Sequence, residues 1–262
     1  MTPQLIHADA YGNDFLLVDE AELPSGTDRG ALAKRVCQRT PGPGADGLIV
    51  FTHGPSSTRM HLRNSDGSFS EISGNGVRCL GAWIAEQRNL ADGAEIAIET
   101  DAGPRVLTLL ERDERRFRFR TSMGSPVGIR RLMLDVNGEP VDAATMSVGN
   151  PQCIVLDRCD DASLQRLGGA LAVHPHFPEG TNVEFLRVDS PARLSILIWE
   201  RGVGPTASSG TGTCAAAVAA ACFAGAERDV EVSAPGGTQR VEWRDDGLWL
   251  TGWAVVMEET AI

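Results

Sequence analysis

The sequence predicts a mixed α/β (α+β) fold made of two homologous halves, and three observations carry that prediction. Motifs recur in one order at an offset of 136 or 137 residues along the 262-residue chain. Apolar runs of strand length, separated by Gly, Pro and Asn turns, occupy both halves. Each half also holds one Ser-Gly-x-Gly turn that opens a helix-like run.

The repeat begins with AYGNDFLLVD (Ala10 to Asp19), where a Gly-Asn turn runs into an apolar strand ending in Asp. SVGNPQCIVLD (Ser147 to Asp157) repeats it. GADGLIVF (Gly44 to Phe51) then falls on GTNVEFLRV (Gly180 to Val188), and HLRNSDG (His61 to Gly67) on LIWERGVG (Leu197 to Gly204). Finally Ser73-Gly-Asn-Gly falls on Ser209-Gly-Thr-Gly. The period is far too long for a solenoid, so the repeat implies two domains. After each Ser-Gly-x-Gly, helical spacing places Val77, Leu80 and Ile84 on one face, and Cys214, Val218 and Cys222 on another, each packed within its own half. Strands are predicted at AEIAIET, RVLTLL, RFRFRT, RLSILIW, DVEVSA and GLWLTGWAVVM, and further helices at Asp28 to Gln38 and Asp161 to Leu171. The small-residue stretch TSMGSPVGIRR marks the boundary, giving halves 1–125 and 126–262, with the C-terminal strand free to cross over to the first half.

Composition narrows the function. Apolar residues make up 42% and charged residues 23%, and no apolar run approaches the roughly 18 residues of a membrane span. The N-terminus lacks a basic start and a long apolar segment, so a cytoplasmic protein is expected. The formal charge of -11 and the scarcity of basic clusters argue against nucleic acid; the run ERDERRFRFR reads as a solvated strand face. Six cysteines show no zinc spacing, and Cys79 and Cys214 read as core. His174 and His176 in VHPHFPEG are too few for a metal site and read as loop residues, so no metal is expected. Asp46 and Asp66, in Gly-rich turns, read as Asx residues.

A Gly-x-Gly at a helix start leaves backbone N–H groups pointing outward, and the helix dipole adds partial positive charge. Such a turn binds anions, and two of them would hold a small anionic substrate between two equivalent side chains. A nucleotide loop is the competing reading, since Gly210 to Ala215 fits G-x-G-x-x-A. The first copy has Cys79 at the third position, however, and Glu200 to Ser209 separate the second from its strand.

The motifs GNDFLLVD, GPGADGL, RNSDGSFSEISGNGVRC, VGNPQC, FPEGTNVEF, WERGVGPT and SSGTGTCAAA together resemble the diaminopimelate epimerase family over nearly the whole chain. The resemblance implies two pseudo-symmetric domains, each a barrel-like mixed sheet around a central helix, with the active site in the cleft between. It implies catalysis without metal or pyridoxal phosphate, a diamino dicarboxylate amino acid as substrate, and a homodimer as a reasonable assembly. The family's two acid/base cysteines fall on Ser73 and Ser209, with Glu200 as a helper. Its substrate-binding positions fall on Asn13, Asn64, Gly74, Asn75, Asn150, Asn182, Glu200, Arg201, Gly210 and Thr211. Where the family has a histidine after Gly-Asn-Pro, this chain has Gln152.

Two serines change the chemistry. A thiol starts near pKa 8.5 and becomes a thiolate readily at a helix N-terminus, whereas a hydroxyl starts several units higher and needs an adjacent base. Gln152 is no such base beside Ser73, while Glu200 remains beside Ser209, so the pair has lost its symmetry. Three accounts stay open: serines introduced to trap a complex; a natural branch that still epimerises; or a branch that has become a binding protein or an isomerase or dehydratase on another carboxylated substrate.

Overall fold

The computed structural model describes residues 3–54 and 57–261. The first half of the chain forms β1 (Gln4–Ala10), β2 (Asn13–Asp19), α1 (Arg29–Val36), β3 (Gly47–His53), β4 (Thr58–Asn64), β5 (Phe69–Ser70), α2 (Gly74–Gln87), β6 (Glu95–Thr100), β7 (Gly103–Asp113) and β8 (Arg116–Gly124). The second half forms β9 (Val127–Val136), β10 (Glu139–Ser147), β11 (Pro151–Val155), α3 (Asp161–Ala172), β12 (Asn182–Ser190), β13 (Arg193–Glu200), β14 (Gly204–Thr206), α4 (Gly210–Phe223), β15 (Asp229–Ala234), β16 (Gly237–Arg244) and β17 (Gly247–Ala261). Two compact units result. One holds the chain up to Thr121 together with the segment from Gly252 onward, and the other holds Ser122–Thr251.

In the N-terminal unit the strands close into an eight-membered ring, β1-β2-β3-β4-β6-β7-β8-β17 and back to β1. The β2–β3 and β4–β6 pairs are parallel. Strand β2 is buried on both faces. One face packs Phe15 and Leu17 with Val77, Leu80 and Ile84 of α2; the other packs Leu16 and Val18 with Leu32, Ala33 and Val36 of α1. This double cover explains why FLLV and LIVF read as continuous apolar runs rather than alternating ones.

The C-terminal unit repeats the internal order. Strand β11 runs parallel to β12, β13 parallel to β15, and β16 pairs with the first residues of β17. Helix α3 covers one face with Leu164, Leu167 and Leu171 against Val155, Val183 and Phe185. Helix α4 covers the other. Every residue of α4 from Gly210 to Ala220 is buried, as expected of a helix enclosed on all sides. Its run of alanines keeps it slim enough to be enclosed. The expectation that Cys222 lies on the buried face with Cys214 and Val218 is overturned: Cys214 and Val218 are fully buried, but Cys222 is exposed, because in the last turn of α4 it is Phe223 that packs against the core. Cys79 and Cys214 are both core residues with no exposure.

Ala219→Leu adds volume where α4 is buried on every side, and is expected to destabilise the protein by about 1–3 kcal/mol; a urea unfolding midpoint unchanged from the parent would contradict the enclosure of α4 over Gly210 to Ala220.

Candidate active site

In the N-terminal unit, Ser73 is the N-cap of α2, with φ −128 and ψ 124, and its Oγ accepts the Gly76 N–H at 3.1 Å. The cap satisfies one orphan donor of the helix and leaves the remaining positive end available. On the first turn, Asn75 donates through Nδ2 to Asn13 Oδ1 at 3.1 Å and accepts from the Arg78 guanidinium at Oδ1. Asn13 in turn donates to Asp46 Oδ2 at 2.8 Å. Asp46 also accepts from Arg39 at 2.9 Å, so its role is long-range and not the local Asx turn expected of it. Asp66 does make that turn, accepting from the Ser68 N–H at 2.8 Å. Asn64 closes its own turn by donating to Ser68 Oγ at 2.9 Å.

Behind Asn13 lies an ion cluster that sequence reasoning missed. Burial works to raise the Asp14 carboxyl, but hydrogen bonds from His7 and Arg39 outweigh it and hold it well below the ordinary range. Burial raises neighbouring Asp46, with the Asp14 charge adding to the effect.

In the C-terminal unit, Ser209 is the N-cap of α4, with φ −141 and ψ 125, and its Oγ accepts the Gly212 N–H at 3.2 Å. Ser209 and Thr211 are each 3% exposed, deeper than half-buried Ser73. Gln152, fully buried, lies with its amide against Asn150 at 2.6 Å and Thr211 at 3.1 Å. Asn182 accepts the Arg201 N–H at 2.9 Å, and the Arg201 guanidinium donates to the Glu179 carbonyl at 2.9 Å. Glu184 pairs in register with Ile198, so strand alternation sets Asn182, Glu184 and Glu200 on one face. Glu184 has no exposure; burial, with the Glu200 charge adding to it, pushes its carboxyl well above the ordinary range. His174 is a loop residue whose ring meets the Asp135 carbonyl on one side and the His176 N–H on the other, at 3.0 and 3.1 Å.

The strand registers correct one alignment. Phe15 pairs with Gly47 in β2–β3, and Gln152 pairs with Asn182 in β11–β12. With the Gly-Asn turns superposed, Phe15 answers to Gln152, Gly47 to Asn182, and Ile49 to Glu184. The offset over β3 and β12 is therefore 135, one residue away from the sequence alignment of GADGLIVF with GTNVEFLRV, and one residue reverses every face. Helix contacts agree: a methyl group added at Gly76 would meet Ile49 Cδ1 at 3.0 Å, and one added at Gly212 would meet Glu184 Oε1 at 2.0 Å. Glu184 was legible only as the polar member of an alternating strand, a pattern that ordinarily marks a solvated face.

The fold, with a capped central helix in each unit, is one that this chain shares with racemases and epimerases of known structure. Over the full length of this chain the fold is similar to a predicted epimerase from Pseudomonas aeruginosa (14% identical, 99% of that chain, TM-score 0.76) and to a probable proline racemase from Agrobacterium radiobacter (16% identical, 93% of that chain, TM-score 0.75). The diaminopimelate epimerase family model matches residues 8–129 and 144–261. Diaminopimelate epimerases of Desulforudis audaxviator and Desulfitobacterium hafniense are 41% and 37% identical, the first over 90% of this chain and 89% of the relative, the second over 95% and 94%. The chain belongs to the diaminopimelate epimerase family.

The two helix starts differ in tolerance. Gly212→Ala forces the buried Glu184 carboxyl aside and is expected to cost about 1–3 kcal/mol. Gly76→Ala meets the ends of Ile49 and Met60 at 3.0 and 3.4 Å and Ser73 Cβ at 3.3 Å, contacts that small shifts relieve, and the gain of about 1 kcal/mol in helix propensity offsets part of their cost. Equal losses for the two variants in urea unfolding would refute the difference.

Proposed function

We propose that the protein is a cofactor-independent epimerase that interconverts LL- and meso-diaminopimelate in the cytoplasm, within lysine and cell-wall precursor synthesis, working without pyridoxal phosphate and as a homodimer. The observation that carries this reading is the doubled turn: two buried helices, each opened by a serine N-cap and a Gly-x-Gly, in a chain of this family. In this reading Ser73 and Ser209 occupy the two acid/base positions. One side takes the proton from the substrate α-carbon, the other returns a proton to the opposite face, and the net change is inversion. Glu200 assists on the Ser209 side. The turns Gly74-Asn75 and Gly210-Thr211 clamp the α-carboxylate through their N–H groups and helix dipoles. The amine sits with the α-carboxylate between the turns, and Asn13, Asn64, Asn150, Asn182 and Arg201 hold the distal end.

A second reading, an amino-acid-binding protein without proton transfer, is favoured by the caps themselves. Each serine Oγ accepts a backbone N–H. That bond and the helix dipole favour an alkoxide, yet they start from a hydroxyl several units above a thiol. As caps alone, Ser73→Ala and Ser209→Ala each cost about 1 kcal/mol of stability.

NMR of LL-diaminopimelate with the protein in heavy water separates the readings. The epimerase reading expects α-proton exchange that Ser73→Ala and Ser209→Ala abolish and that Ser73→Cys with Ser209→Cys raises sharply. Ligand line broadening without exchange, even with both cysteines restored, would leave only the binding protein.

A further inference from the structure

The two units offer an internal comparison. Where the N-terminal unit places Phe15 and Ile49 beneath its helix, both apolar and buried, the C-terminal unit places Gln152 and Glu184, both with no exposure. The fold accepts an apolar pair at this position, so a buried acid and amide are not a requirement of packing. Burying them is costly unless every polar atom is matched.

Matching is possible in two ways. With Gln152 Nε2 toward Asn150 Oδ1 and Thr211 Oγ1, at 2.6 and 3.1 Å, the Gln152 Oε1 faces both Glu184 oxygens. That arrangement needs a proton on Glu184, because two acceptors otherwise meet. Turned over, Gln152 Nε2 donates to the Glu184 carboxylate at 3.2 and 3.1 Å, and its Oε1 accepts from Thr211 Oγ1 at 3.1 Å, with the Asn150 amide reversed to donate as well. In the first state Asn150 Nδ2 and the Thr211 O–H remain donors for another partner. In the second the Thr211 O–H and one Asn150 N–H are spent on Gln152, and the Asn150 carbonyl turns outward in place of the amide nitrogen.

We propose that Glu184 and Gln152 are positioning residues for the ligand clamp: the proton on Glu184 sets which way round the Gln152 amide lies, and so whether Asn150 and Thr211 present donors or acceptors to a carboxylate. The assignment of Asn150 and Thr211 to the ligand rests on the proposed function above. Titratable and charged groups on the elements around Glu184 are Arg193 and Glu200 on β13, Cys153 on β11, Cys214 and Cys222 on α4, and Arg187 and Asp189 further along β12 itself; Glu200 shares the face of Glu184. Glu200 and Glu184 repel, and the Glu184 charge adds to the burial that raises the Cys153 thiol. The Glu200 charge favours the protonated acid, whereas the Cys153 thiol, kept neutral by burial, does not act on it.

The sign follows. Glu184 binds its proton more tightly in the folded protein than in the unfolded chain, so its contribution to stability is complete below the unfolded pKa and is lost as pH rises through the folded value. Affinity for a carboxylate ligand falls with it, by up to about tenfold per pH unit above the midpoint.

The test uses the whole protein in two arms. In the ligand-free protein, NMR follows the Glu184 side-chain carboxyl and the Gln152 side-chain amide against pH. The proposal expects the carboxyl to titrate above the usual carboxylate range and the Gln152 amide resonances to move with the same midpoint. Amide resonances that ignore that titration would overturn it. In the second arm, diaminopimelate affinity is measured against pH for the parent and Glu184→Gln, whose amide supplies the donor that the protonated acid supplies. Retained affinity with a flattened pH profile is expected; the parent's profile unchanged in the variant would also overturn the proposal. If diaminopimelate does not bind at all, the functional reading falls, while the first arm still decides the latch.

Discussion

Burying a helix among strands takes most of its first N–H groups away from water, and the rest of this protein is arranged around that constraint. Ser73 and Ser209 each answer it by capping the N–H of the third residue of α2 or α4. The glycines that follow serve the same end, because the first turn must pass close to strand side chains. At Gly212 the space a Cβ would need is already filled by Glu184. A capped, partly positive helix end held in a fixed place is also what an anionic ligand requires, so one arrangement serves stability and recognition together.

The repeated architecture does not make the two ends equivalent. Around α2 the polar groups form an outward chain, Arg78 to Asn75 to Asn13 to Asp46, that ends in the Asp14, Arg39 and His7 ion cluster. Around α4 they run inward, from Thr211 and Asn150 through Gln152 to Glu184. One helix end is braced by a paired charge network, the other by a buried acid. If the serines do transfer protons, the two sides do so in different electrostatic surroundings, whatever symmetry the backbone retains.

Much of the fold was legible because its signals are local. Asp28 and Asp160 are plain N-caps, and the helices predicted at Asp28 to Gln38 and Asp161 to Leu171 appear as α1 and α3 within a few residues. Ser-Gly-x-Gly announces the start of both central helices, and the doubled Gly-Asn turns announce the repeat. The exposure of Cys222 was not legible, since helical periodicity cannot tell which residue of the last turn meets the core. Nor was the long-range role of Asp46, whose partners Asn13 and Arg39 are recruited from other elements.

The sequence by itself determined the two-part architecture, the positions of the capped turns and the family, because each is written in short motifs whose order survives any error of register. Tertiary structure alone decided what lies beneath those turns. Alternation predicts that Glu184 shares a face with Asn182, but only the packing of α4 over that face turns a solvated acid into a buried one and sets it against Gln152. The reason is physical: burial and partner choice depend on which surfaces meet, and a one-residue difference in register between the halves, invisible in the aligned motifs, exchanges Leu48 for Ile49 as the counterpart of that acid.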